Sequence, residues 1–149
     1  MTQQTDLIKL YSDRILKLAA SIPHFERLES PHATVKKRSP LCGSTVTVDI
    51  EMTDGRVTAF AQDVKACALG QAAASIVGSA IIGLTQPQIA CARDQLKAML
   101  INEGPPPTIP FDELVVLLPA RDYKNRHASI MLALDAATEA AALAVIEPV

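Results

Sequence analysis

Two cysteines carry the clearest chemistry in this chain. Cys42 lies in the segment Pro40-Leu41-Cys42-Gly43, directly after Lys36, Lys37 and Arg38, and Cys67 stands where an alternating segment gives way to the alanine-rich stretch that follows. The thiolate, not the thiol, is the nucleophile and the metal ligand, and neighbouring positive charge or a helix N-terminus favours it. The basic run before Cys42 and the expected helix start at Cys67 act in that direction, so both sulfurs are read as nucleophilic or metal-competent. A single free cysteine more often packs as a small hydrophobe, so the case depends on whether the two come together. The third, Cys91, falls off the apolar stripe of its own segment and is read as structural or an incidental thiol. Three cysteines in an intracellular chain of this size are expected to stay reduced rather than form a disulfide framework.

The elements that must position the pair are legible in part. Val46, Val48, Ile50 and Met52 alternate with Thr45, Thr47, Asp49 and Glu51, the period-two pattern of a half-buried strand, with Asp49 and Glu51 on its solvated face. Val57 to Ala66 is the partner, joined through Thr53-Asp54-Gly55-Arg56, where Asp-Gly supplies the positive φ values of a type I′ hairpin turn. Pairing Thr53 with Arg56 sets Met52 against Val57, Ile50 against Ala59 and, at the far end, Cys42 against Cys67. Directly opposed antiparallel residues lie roughly 4.5 to 5.5 Å apart at Cα, close enough to share a metal ion. A bulge at Gly43 would shift that meeting by one residue.

Around the hairpin the pattern is helical. Thr5 or Asp6 caps an amphipathic helix carrying Leu7, Leu10, Tyr11, Ile15 and Leu18 and ending before Pro23, and Ala33 to Lys37 reads as a short strand. Ala68 to Ile82 is a helix closed by Gly83. Thr85 opens the next, with Gln88 completing a capping box and Ile89, Ala92, Leu96, Met99 and Leu100 as its apolar stripe, stopped by Gly104 and the prolines after it. A short segment from Phe111 to Leu118 and the polar run Arg121 to Arg126 lead to an alanine-rich C-terminal helix from Ala128 to Ile146. The expected fold is α+β, one domain in which a small antiparallel three-stranded sheet is covered by helices on one face.

Composition narrows the function classes. At 149 residues the chain can bury a sizeable core without staples, so a metal would serve function rather than folding. A net charge of −2 with a pI near 5.9 argues against a nucleic-acid surface. No run approaches the about 20 apolar residues of a bilayer span and no secretory signal is visible, so a soluble, cytoplasmic protein without a membrane partner is expected. There is no phosphate-binding glycine loop, no metalloprotease helix and no serine elbow, so no hydrolase is expected.

Taken together, Pro40-Leu41-Cys42-Gly43 before a strand, Cys67-Ala68-Leu69-Gly70-Gln71-Ala72-Ala73-Ala74-Ser75 opening a helix, and Arg126-His127-Ala128-Ser129-Ile130 opening the last one resemble, in order and spacing, the three signature segments of the U-type (IscU/NifU-like) iron–sulfur cluster assembly scaffolds. The resemblance covers roughly Ala33 to Ala142. It implies a non-enzymatic scaffold whose three segments each supply a cysteine to hold a nascent iron–sulfur cluster, of the 2Fe–2S type, or a zinc ion. A cysteine desulfurase would deliver the sulfur, and apo-proteins would accept the cluster. Cys42 and Cys67 match two of those cysteines. The third would fall at Ala128, and the acidic residue usually two positions after the first cysteine is replaced by Ser44, which is left at that ligand position. His127 matches a histidine found beside the third cysteine in part of the family, and a neutral imidazole can ligate zinc or iron. The implied site is therefore Cys42, Cys67 and His127, with one position open or completed by a homodimer in which each chain donates two cysteines. Only Leu118-Pro119 stands where the family's chaperone-docking loop would lie, which argues against chaperone dependence. Two other readings follow from the same residues: a zinc-ordered sulfur-relay protein accepting persulfide sulfur from a desulfurase, and a degenerate paralogue acting as an interaction or regulatory module.

Overall fold

A computed structural model describes residues 11–146, excluding the side chain of Ile146. The order of elements is α1 (Asp13–Ala20), β1 (Ala33–Arg38), β2 (Thr45–Thr53), β3 (Arg56–Lys65), α2 (Ala68–Ala80), α3 (Gln86–Ile101), a 3-10 segment (Asp112–Asp122) and α4 (Lys124–Ile146). The strands form one antiparallel meander in the order β1-β2-β3, so the architecture is α+β, as expected. The cap expected at Thr5 or Asp6 lies outside the described residues; within them α1 is capped by Ser12, whose hydroxyl accepts from the Ile15 N–H.

The hairpin turn behaves as its residues require. Asp54 and Gly55 both have positive φ, 54° and 77°, and Thr53 pairs with Arg56 and Met52 with Val57. The ladder then departs from the expected register. β3 carries one extra residue, Thr58, so that Glu51 pairs with Ala59, Ile50 with Phe60, and the ladder ends at Thr45 and Lys65. Thr58 Oγ1 donates to the Glu51 carbonyl at 3.2 Å and satisfies the backbone group that the bulge would orphan. The irregularity therefore falls at the turn end and not at Gly43, and Cys42 and Cys67 are not a ladder pair. Cys42 sits instead on the turn joining β1 to β2, closed by Gly43 N–H to Ser39 O at 2.9 Å and Ser39 N–H to Ser44 O at 2.8 Å, with Gly43 at φ 72°.

The face of β2 bearing Val46, Val48, Ile50 and Met52 is buried, chiefly against α4, which also packs on β1, α2 and α3. The opposite face is not simply solvated. Asp49 is fully buried because the α1–β1 loop reaches it: Arg27 donates through Nε at 2.6 Å and a terminal nitrogen at 3.1 Å, the Leu28 N–H at 3.0 Å and Thr34 Oγ1 at 2.6 Å. Burial pushes this carboxyl up, but the bonds from Arg27, Thr34 and Leu28 outweigh it and hold Asp49 below its ordinary value.

α3 has its capping box, Thr85 with Gln88, and buries Ile89, Ala92, Leu96, Met99 and Leu100. α2 ends at Ala80, two residues before its expected end, and Gly83 takes up φ 89° in the loop beyond. α4 begins at Lys124, four residues before the expected start, after a 3-10 segment that contains Pro119. Contrary to the expectation that no run approaches a bilayer span, Lys124–Val145 is long and apolar enough by length and composition to cross one, but 67% of its apolar window is buried inside the fold, as in the core helix of a globular domain.

Candidate functional site

At the open end of the sheet, away from the hairpin turn, the β1–β2 turn meets the first turn of α2 and the early part of α4. Cys42 is exposed on the first of these. Its Sγ lies 3.4 Å from Ser39 Oγ and 3.0 Å from Ser44 Oγ. The Ser39 hydroxyl, then the Ser44 hydroxyl and backbone N–H, hold the Cys42 thiol down to about 7, since hydrogen bonds to the thiolate favour the charged form. The sulfur is therefore substantially thiolate near neutral pH. The lowering comes from these hydroxyls rather than from the basic run before Cys42.

Cys67 is the N-cap residue of α2, half-buried, with extended backbone (φ −67°, ψ 171°) and no side-chain capping bond. Its Sγ lies 3.5 Å from Ser129 Oγ on α4. Ser129 in turn donates to Ser44 Oγ at 3.2 Å. The two cysteines are thus joined through two buried hydroxyls, Ser44 at 5% and Ser129 at 1% exposure. α2 and α4 approach closely here: a Cβ on Gly70 would meet Ser129 Oγ at 2.6 Å, Ala66 Cβ at 2.9 Å and the Ser129 carbonyl at 3.1 Å. Glycine at this position is what lets α2 bring Cys67 up to α4.

Of the residues expected from sequence, Cys42, Ser44 and Cys67 come together in this way. His127 faces elsewhere. Its Nε2 is 2.9 Å from the Ala120 carbonyl and 3.0 Å from that of Arg121, both acceptors, so Nε2 carries the proton and ties α4 to the 3-10 segment. Ligation by His127 would use Nδ1 or require these bonds to break. No group of three His, Cys, Asp or Glu side chains is arranged to hold a metal among the described residues. The serines Ser39 and Ser129 were not singled out from sequence. Ser129 sits within a segment recognised as important, but only the observed phase of α4 shows that its hydroxyl, rather than a neighbour, faces both sulfurs.

The basic run is not uniformly solvated. Arg121 donates to the carbonyls of Met99 and Gly104, at 2.8 and 3.2 Å, and so closes the end of α3. It lines, with Lys97, Lys124, His127, Ala128 and Met131, a groove of about 610 Å³ between α3 and the start of α4. Cys91 is an exposed thiol on α3.

Comparison with protein-family models and with curated proteins found no match. Comparison with solved structures did. A nitrogen-fixing NifU-like protein (N-terminal) from Brucella abortus superposes with a TM-score of 0.93 and 40% sequence identity, covering 96% of this chain and 99% of that one. A putative iron–sulfur cluster assembly scaffold protein for the SUF system from Fervidobacterium islandicum shares the fold at a TM-score of 0.81 and 16% identity, over 90% of this chain and 98% of that one. A hypothetical protein matches at 0.81 and 19%, over 91% and 98%. The two more distant likenesses speak for the fold alone, whereas identity of 40% over nearly the full length of both chains, with Cys42 and Cys67 brought to one end of the sheet, settles the family: this chain belongs to the NifU-like family of U-type scaffolds.

Proposed function

We propose that this protein is a scaffold on which iron and sulfide are assembled at Cys42 and Cys67 and from which the cluster passes to apo-proteins. The observation that carries the reading is the convergence of an exposed sulfur and a half-buried one on a shared pair of buried hydroxyls. Cys42 is open to solvent while Cys67 is half-buried against the core, so a cargo could enter and leave from the Cys42 side. A cysteine desulfurase is the expected sulfur donor. Two thiolates per chain are fewer than the four protein ligands of an ordinary cluster, so a 2Fe–2S cluster would draw on a second chain, on His127 through Nδ1, or on the acceptor.

A zinc-ordered sulfur relay is the second reading, favoured by the state of Cys42. Its thiolate, exposed and held near neutrality by Ser39 and Ser44, is suited to attack the outer sulfur of a desulfurase persulfide. A sulfur–sulfur bond would form to Cys42 as the desulfurase cysteine leaves as thiolate.

Anaerobic reconstitution with ferrous iron and sulfide separates the two. The scaffold reading expects iron and acid-labile sulfide in the wild type, with visible absorption, and their loss in Cys42→Ala and Cys67→Ala. A wild type that retains neither iron nor sulfide would sink it. Persulfide on Cys42 after incubation with a desulfurase and cysteine, in colourless protein, would favour the relay.

A further inference from the structure

We infer that a basic trench running along α4 docks an extended segment of a protein partner that is rich in carboxylates and punctuated by apolar side chains. Neither sulfur takes part, so the site is independent of the scaffold reading. The floor is one face of α4, on which Lys124, Ala128, Met131, Asp135, Glu139 and Ala142 recur at intervals of three and four residues. At the start of α4 the groove of about 610 Å³ lies against α3, and further along a second, of about 470 Å³, lies between β1 and α3. The two share Ala128 and Asp135, which makes them one trench.

Charge identifies the occupant. The walls carry Lys37 and Arg38 from β1, Arg93 and Lys97 from α3, and Arg121 and Lys124 at the head of α4, against two carboxylates, Asp135 and Glu139. The chain as a whole has 16 acidic residues to 14 basic, so the excess is local. Glu139 is already paired with Lys37. Burial pushes the Asp135 carboxyl above its ordinary value, and the fields of Arg93, Lys37 and Lys97 offset this only in part, so these three cations converge on one point of the floor. Among the described residues Arg38, Lys97 and Lys124 form no ion pair, and an acidic partner would supply their counter-charge.

The trench is not polar throughout. Leu100, Met131 and Leu132 line it, and Ile101, also in its wall, is 53% exposed. A peptide can set apolar side chains on these residues, whereas Asp135 and Glu139 would repel the continuous phosphate backbone of a nucleic acid. From Lys124 to Ala142 the helix rises roughly 27 Å at about 1.5 Å per residue, the span of about eight residues of extended chain.

The test is fluorescence anisotropy with the full chain and a fluorescein-labelled octapeptide of Glu with Leu at every third position. Saturable binding is expected, weakened at least about 10-fold when Lys97→Glu and Lys124→Glu are combined, because each reversal turns an attraction into a repulsion. Replacing Leu by Ser in the peptide should weaken binding as well, which checks the apolar contacts with no change to the protein. Combining Lys17→Glu and Lys65→Glu makes the same change in net charge at exposed positions outside the trench and should leave affinity within about twofold of the wild type. Far-ultraviolet circular dichroism should be the same for all three proteins. Absence of binding to the wild type, equal losses in the two double variants, or an undiminished affinity for the Ser peptide would each overturn the inference. So would a single-stranded oligonucleotide of equal charge that binds as tightly as the peptide, or a dimer of the wild type that the trench variant alone dissolves, which would give the face to a second copy of the chain.

Discussion

The same three-stranded sheet carries two polar clusters of opposite character. At Asp49 a fully buried carboxylate is saturated: two bonds from Arg27, one from the Leu28 N–H and one from Thr34 leave it no spare acceptor of consequence. At the cysteine end the sulfurs and hydroxyls of Cys42, Ser44, Ser129 and Cys67 are joined only by weak thiol and hydroxyl contacts, and one sulfur is open to solvent. Charge-assisted bonds are short and roughly twice as strong as neutral ones, and sulfur is a poor donor and acceptor. The first cluster fixes a loop to the sheet. The second is held in place by the backbone around it and keeps its own bonding capacity for something else.

Substitutions should separate the two. Arg27→Met has the largest expected effect, a clear fall in the urea midpoint, because it leaves the buried Asp49 carboxylate facing only neutral donors; retention of iron and sulfide by the folded protein on reconstitution should be unchanged. Gly70→Ala should cost about 2 kcal/mol through overpacking, and it should also lower iron and sulfide retention on reconstitution, since the new methyl lands on Ser129, which contacts Cys67. Asp49→Asn should cost about 1.5 kcal/mol at neutral pH. Its pH dependence has a definite sign. The folded-state value of Asp49 lies below the unfolded one, so its contribution is present in full above the ordinary value of 3.8 and is lost as pH falls through the lower, folded value. The gap between wild type and Asp49→Asn should therefore close on the acid side, and a gap constant across acid pH would contradict the bonding described. Ser129→Ala is the smallest in stability, under about 1 kcal/mol. A larger loss there, with iron and sulfide retention intact, would make the cysteine end a structural cluster like that at Asp49.

What the sequence disclosed divides along similar lines. The Asp54-Gly55 turn, the alternation of β2 and the Thr85–Gln88 capping box are set by residues within a few positions of one another, and all three stand in the structure. The bulge at Thr58 could not be read, since no glycine marks it and a threonine hydroxyl takes the place that backbone freedom would have filled. Nor could the burial of Asp49, which depends on a loop 22 residues away in the chain reaching back over the strand. The cysteine pair was anticipated through a ladder register that the bulge breaks; the two sulfurs are instead linked through α4, by contacts spanning 62 and 85 residues.

Cys67 caps α2, and Ser129 lies within two turns of the start of α4, while the greater part of each helix is interior to the fold. Whatever occupies that end is therefore attached to the two elements on which global stability depends. A ligand present at about 100 times its dissociation constant adds roughly 2.7 kcal/mol to the folded state. Loaded and empty forms of one chain should then differ in how often they open, and proteolytic lifetime would become a readout of cargo, with the empty form removed first.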